Sequence, residues 1–208
     1  SENFILVLSH DEVVHLKCSM INKMPGIYED KFANLKVGYT FMMTHPGKKL
    51  LFMGQDFGQF HEWDEKVALD WYLTEEPLHA DLQKYYSDLL HLYRTYPALY
   101  RLERDWHGFQ WVNANDGDRS IFSYIRRDET GKKNLLVICN FTPMERADYR
   151  VGVPKRGNYT LVLDTAHGLY KRGDHAPVFR SVKKECDGQP CSFAYPLPPY
   201  GAAIFRFS

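Results

Sequence analysis

Five consecutive apolar residues open the chain almost at once, Phe4-Ile5-Leu6-Val7-Leu8 following Ser1-Glu2-Asn3. A run without polar alternation marks a strand buried on both faces, and such a strand needs neighbours on both edges. A polar turn, Ser9-His10-Asp11-Glu12, comes next. Residues 30–44 then place Phe32, Leu35, Tyr39, Met42 and Met43 at helical spacing. His45-Pro46-Gly47 ends that helix, because Pro cannot continue it and Gly tolerates the exit geometry. Leu50-Leu51-Phe52-Met53 reads as a second buried strand, broken by Gly54, and a long loop runs to about residue 78. Residues 79–95 predict an amphipathic helix with Leu82, Tyr85, Tyr86, Leu89, Leu90 and Tyr93 as its stripe, ended at Tyr96-Pro97. Strand, loop and helix, twice over, is the repeat of a parallel α/β architecture. An eight-fold barrel and a doubly wound sheet both accommodate it. An interior strand at the start of a chain without an initiating Met suggests a piece cut from a longer protein.

From about residue 105 the pattern changes. Phe109-Gln110-Trp111-Val112 precedes the turn signal Asn115-Asp116-Gly117-Asp118. Residues 121–125 and 135–139 flank Asp128-Glu129-Thr130-Gly131-Lys132, the pattern of a hairpin. Tyr149, Val151 and Val153 alternate, as do Tyr159, Leu161 and Leu163, and Ala202-Ala203-Ile204-Phe205-Arg206-Phe207 closes the chain. Regular short strands predict an antiparallel β-sandwich with a local core, able to fold by itself. The boundary falls near residues 102–105, giving units 1–103 and 104–208.

Charge and cysteine content narrow the partners. The 26 basic and 26 acidic residues cancel, which weighs against nucleic acid, since phosphate binding calls for a basic surface. No apolar stretch reaches the roughly 18 residues of a membrane span. The aromatic fraction of 15% suits both core packing and stacking on sugar rings. Cys18, Cys139, Cys186 and Cys191 show no paired C-x-x-C spacing, so no structural metal is expected. Cys186 and Cys191 flank a turn and are near enough in sequence to bridge. With no secretory signal in view, all four read as reduced thiols of a cytoplasmic protein.

Two loops carry the polar groups that suggest chemistry. Ser9-His10-Asp11-Glu12-Val13-Val14-His15 follows the first strand, the rim on which parallel barrels build their active sites. His10 beside Asp11 offers a donor next to a carboxylate, suited to gripping vicinal hydroxyls. Helix capping by Ser9 or Asp11 is the plainer account of the same residues. Gly54-Gln55-Asp56-Phe57-Gly58-Gln59-Phe60-His61-Glu62-Trp63 follows the second strand and belongs on the same rim. Its Gln55, Asp56, Phe57, Gln59 and Trp63 give the amide, carboxylate and aromatic mixture of a sugar subsite. Simple packing of the loop on the barrel would use the same side chains.

The motifs in order settle the comparison. Residues 9–15, Met24-Pro25-Gly26, Lys31-Phe32-Ala33-Asn34-Leu35, residues 46–54, Glu62-Trp63, Leu69-Asp70-Trp71 and Asn140-Phe141-Thr142-Pro143 together resemble bacterial glycogen branching enzymes of the α-amylase superfamily. The resemblance implies the last two βα units of a (β/α)₈ barrel followed by an antiparallel β-sandwich. It implies a retaining, two-carboxylate reaction on α-1,4-glucan or glycogen, ending in an α-1,6 branch. No organic cofactor, metal, nucleic acid or membrane is implied. Asp11 takes the role of the carboxylate that steadies the transition state, and His10 assists it. The nucleophilic Asp and the acid/base Glu belong to earlier strands, so the isolated chain is expected to be inactive. Two departures stand out: Leu16 sits where Gly is usual, and Gln55-Asp56 replaces Asn-Glu or Gly-Glu. Another enzyme of the superfamily shares the Asp11 motif, but residues 11–15 point to branching; a glucan-binding or structural module without catalysis is the other alternative, and describes the isolated chain taken literally. Trp106 and Trp111 are either sugar platforms or packing residues, and bare barrel edges in residues 1–100 predict self-association.

Overall fold

A computed structural model describes residues 8–171 and 173–208. Of the strand expected over 4–8, only Leu8 falls within them. After a 3₁₀ turn at His10–Glu12 come α1 (Met20–Lys23) and α2 (Tyr28–Thr44), then a loop with a 3₁₀ turn at Trp71–Glu75, and α3 (Pro77–Thr95). Nine strands follow among the described residues: β1 (Phe109–Asn113), β2 (Ile121–Arg126), β3 (Asn134–Asn140), β4 (Arg146–Val153), β5 (Asn158–Asp164), β6 (Gly168–Leu169), β7 (Val178–Arg180), β8 (Cys191–Leu197) and β9 (Ala202–Phe207).

Both long helices start and stop for local reasons. Asp30 accepts a hydrogen bond from the Ile27 backbone N–H (3.3 Å), and Glu29 and Asp30 complement the positive end of α2. His45 leaves the helix in extended conformation before Pro46. Gly47, at φ 111°, takes the turn that follows. Pro77 opens α3 at its first position, where a missing N–H costs nothing. Leu82, Tyr85, Leu89 and Leu92 are buried along α3, whereas Leu90 points outward.

Every residue of β3 is buried, so both faces of its sheet must be covered. The large antiparallel sheet runs β1-β2-β3-β9-β5-β6, with β7 also on β5, and a second pair is β4-β8. The alternation of β3 divides its side chains between two cores. Leu135, Val137 and Cys139 join Phe32, Leu35, Leu82 and Leu89 of the helices. Leu136 and Ile138 join Val151 and Phe193 of the small sheet. The molecule is thus three layers: helices, large sheet, small sheet. Because one face of the large sheet rests on α2 and α3, the expectation of a sandwich with a purely local core is corrected.

Three other expectations are met only in part among the described residues. The segment 50–53 is not a strand among the described residues. It makes one parallel bridge, Leu51 to Leu8, while Leu50 and Met53 are exposed. The Leu8 N–H donates to the Leu50 carbonyl (3.2 Å) and the Phe52 N–H to the Leu8 carbonyl (3.1 Å), a parallel pairing as far as the described residues reach. The barrel units expected over 1–103 therefore amount, within those residues, to this bridge and two long helices. Cys191, read as flanking a turn with Cys186, lies buried in β8. Its alternation, Cys191, Phe193, Tyr195, Leu197, was legible but was masked by the Pro-rich turn after it. All four cysteines are free.

Arg126 ties the layers together. It is fully buried on β2 and donates to the carbonyls of Gly108 (3.2 Å), Thr44 (2.5 Å) and Leu99 (3.3 Å). Thr44 is the last residue of α2, so the cation also meets the negative end of that helix. The Thr44 hydroxyl pairs with Tyr124 on β2 (2.6 Å), and Thr40 pairs with Tyr85 on α3 (2.6 Å).

His45 packs against Phe109 and Tyr124, its Nδ1 buried and without a partner among the described residues. Burial lowers its pKa to about 4, against an ordinary value of 6.5. The unfolded chain therefore binds the extra proton first, and stability is lost as pH falls from about 6.5 toward 4. Urea midpoints measured across that window are expected to fall with acidification in the wild type. His45→Gln should flatten the slope; an unchanged slope would assign the acid sensitivity elsewhere.

Candidate functional site

The two loops singled out from the sequence do meet. The Trp63 N–H donates to the Val13 carbonyl (3.0 Å), and Asn22 Nδ2 to the Phe60 carbonyl (2.7 Å). The Met20 N–H donates to Gln55 Oε1 (3.0 Å). The two carboxylate oxygens of Glu62 accept from the backbone N–H groups of Leu16 (3.0 Å) and Cys18 (2.6 Å). Phe52 fills the space between, its ring 5.9 Å from His10 and edge-on to Trp63 at 5.1 Å.

His10 and Asp11 stand exposed on the 3₁₀ turn, with His10 Nε2 3.1 Å from Asp11 Oδ1. Ser9 makes no side-chain cap, so the capping account finds no support there. Lys17 Nζ holds the Asp11 backbone carbonyl (2.8 Å), and Lys23 Nζ holds that of Glu12 (2.5 Å). The backbone is pinned while the Asp11 carboxylate faces solvent, 70% exposed. Further along, the loop winds through three left-handed residues that are not glycine: His15 (φ 57°), Leu16 (φ 66°) and Cys18 (φ 65°). That region costs an L-residue roughly 1–2 kcal/mol. One of the three, Leu16, is 95% exposed, a position where Gly would carry no such cost.

A cleft of 650 Å³ opens beside the pair, lined among others by His10, His15, Gln59, His61, Trp63 and Asp70. His61 Nδ1 lies 2.7 Å from Asp70 Oδ2, and the Asp70 N–H donates to Gln59 Oε1 (3.0 Å). Sequence reading singled out neither His61 nor Asp70 as a functional residue, although both lie in quoted motifs. The spacing of nine residues gave no sign that they pair.

The proposed sugar contacts divide. Trp63 and Gln59 line the cleft, Gln59 with only its edge exposed and its amide donating to the His61 carbonyl (3.2 Å). Gln55 and Phe57 do not reach the cleft surface. Both are fully buried, Gln55 bonding to Met20 and Phe57 offering its carbonyl to His79 (2.6 Å). Asp56 turns away to accept from Gln83 on α3 (3.0 Å). These three shape the loop from beneath. Among the described residues, no group of three or more His, Cys, Asp or Glu side chains is placed to hold a metal ion. No helix among them is long and apolar enough to cross a membrane.

A second cleft, of 310 Å³, lies where the helices meet the large sheet. His45, Glu103, Asp105, Trp106, Phe109 and Trp111 line it, with Trp106 64% and Trp111 40% exposed. Neither indole is a core residue.

Residues 111–208 match the family described as alpha amylase, C-terminal all-beta domain, the class that these antiparallel sheets define. Over its whole length the chain is 55% identical to the 1,4-alpha-glucan branching enzyme of Butyrivibrio fibrisolvens. The branching enzyme of Aquifex aeolicus is 53% identical over 79% of the chain, and that of Bacillus mycoides 43% over 99%. The chain spans 33%, 26% and 32% of these relatives' lengths. It is a homologue of a C-terminal part of the 1,4-alpha-glucan branching enzymes.

Proposed function

We propose that this chain is the part of a glycogen branching enzyme that supplies the transition-state carboxylate and the C-terminal sandwich. The observation that carries the reading is the exposed His10–Asp11 pair, backbone-pinned, with His10 lining the 650 Å³ cleft and Asp11 exposed beside it. In the reaction, an Asp from an earlier strand attacks the anomeric carbon of an α-1,4 linkage. A Glu protonates the departing glucan oxygen, leaving a covalent glycosyl-enzyme. The same Glu then takes the proton of an acceptor 6-hydroxyl, whose oxygen displaces the enzyme carboxylate and forms the α-1,6 bond. Asp11 opposes the positive charge that builds on the sugar ring in both halves, and His10 donates to a neighbouring hydroxyl. The two exposed indoles of the second cleft, beside Glu103 and Asp105, offer further stacking and hydroxyl contacts for the glucan. The protein belongs, on this reading, in the cytoplasm.

The chain alone lacks the nucleophile and the acid/base. Residues 1–208 are expected to leave the iodine stain of amylose unchanged. A chimera joining them to the preceding part of the Butyrivibrio fibrisolvens relative should shift it. Turnover by 1–208 alone, or an inactive but folded chimera, would remove the assignment.

The same reading includes self-association of the isolated chain through residues 1–100. An apolar hollow of 280 Å³, lined by Leu8, Met20, Met24, Tyr39 and Phe41 among others, supports a second copy as its cover. Light scattering should give a dimer or larger species for 1–208 and a monomer for the chimera, in which the preceding segment takes that place. A monomeric 1–208 at high concentration would rule this out.

A further inference from the structure

We propose that Glu62 is a positioning residue for the Asp11 carboxylate, acting through the strained loop between them; this rests on the reading of Asp11 given above. Glu62 lines the cleft with His10 but makes no hydrogen bond or ion pair to His10 or Asp11 among the described residues. Its two carboxylate oxygens hold the N–H groups of Leu16 and Cys18 (3.0 and 2.6 Å). The residue between those two amides is Lys17, whose ammonium bonds to the Asp11 carbonyl (2.8 Å). A continuous path thus runs from Glu62 through two amides and one side chain to the backbone of Asp11. The neighbouring Trp63 N–H anchors Val13 at the other end of the same loop (3.0 Å).

The loop needs such an anchor. Leu16 and Cys18, the residues that Glu62 grips, are both held in left-handed conformation without being glycine. Hydrogen bonds from backbone amides to an ionised carboxylate are among the stronger ones available. A carboxylate is also the side chain that can accept from two N–H groups aimed at one point. An amide in its place presents one acceptor and one misplaced donor. Without the second bond, the loop relaxes toward ordinary backbone angles, Lys17 withdraws, and the turn bearing Asp11 shifts. Displacement of a catalytic group by about 1 Å can lower turnover by about 100-fold.

The test is made in the chimera and in 1–208 in parallel. Glu62→Gln is expected to lower kcat by about tenfold and Glu62→Ala by about 100-fold, with KM for amylose nearly unchanged. Adding Leu16→Gly removes the strain at one of the two residues that Glu62 grips, so the double variant should recover part of the loss in Glu62→Gln. A general structural role for Glu62 gives no reason for rescue by a glycine at position 16. In 1–208, hydrogen exchange should show protected Leu16 and Cys18 amides that become fast in Glu62→Gln. Turnover of Glu62→Ala within twofold of the wild type, or a kcat loss with no rescue by Leu16→Gly, would overturn the proposal. If the chimera is inactive throughout, the reading of Asp11 fails. The exchange data then still decide whether Glu62 holds the loop, and fast exchange in the wild type would show that it does not.

Discussion

Asp11→Asn in the active chimera should reduce kcat by at least about 10³-fold while leaving the melting temperature within about 1 °C of the parent. The two halves of that expectation come from the same geometry. The carboxylate is 70% exposed and its close side-chain neighbour is His10, so the fold does not depend on its charge. The Asp11 backbone carbonyl, which does hold the loop through Lys17, is unaffected by the substitution. An amide matches the shape and still accepts a hydrogen bond, but it cannot oppose a positive charge as the carboxylate does. His10→Ala should cost less, because it removes a hydroxyl contact and leaves the charge in place. Steady-state kinetics on amylose with a thermal melt of each variant decide the matter. A kcat within tenfold of the parent would make Asp11 a solvent-facing turn residue with no part in the chemistry.

The second large effect is on stability. Arg126→Met should destabilise the chain by about 3 kcal/mol or more, since it leaves the carbonyls of Thr44 and Leu99 buried and unpaired and that of Gly108 with only its bond from the Arg127 N–H (3.1 Å). Burial lowers the Arg126 pKa to about 10, so the guanidinium remains charged at neutral pH. It therefore carries a desolvation cost that the three carbonyls must offset. Arg126→Lys should recover less than half the loss: one ammonium cannot reach three acceptors arranged around a planar fork. Urea denaturation followed by far-UV circular dichroism measures both. A Met variant within about 1 kcal/mol of the wild type would mean that the three carbonyls find other partners at no cost.

What the sequence disclosed follows from the range of the forces involved. Local signals placed α2 and α3 to within two residues at their marked ends, and six of nine strands, because capping, Pro and two-residue alternation act over a few positions. β6 and β7, of two and three residues, are too short to alternate, and exist through pairing with β5. The apolar run at 50–53 shows among the described residues as one parallel bridge, Leu51 to Leu8, since most of the segment expected beside it lies outside them. At the site, His10 and Asp11 were legible as neighbours in sequence. Glu62 was not, since its partners lie 46 and 44 residues away and are backbone amides, which carry no sequence signature. Gln55 and Phe57 have the composition of a sugar subsite, yet burial, which composition does not encode, turns them inward.

The arrangement of layers also fixes where this protein can be cut and joined. A graft of the C-terminal domain onto a relative would naturally be designed at the pattern change near residue 103. That junction would strip α2 and α3 from Tyr124, Val137, Val162 and Ile204 and leave Arg126 facing a stranger's loop ends. The transferable cassette begins before Tyr28 instead, so that both helices travel with the sheet they cover. Any exchange with a relative would then move helices and strands as one inherited block.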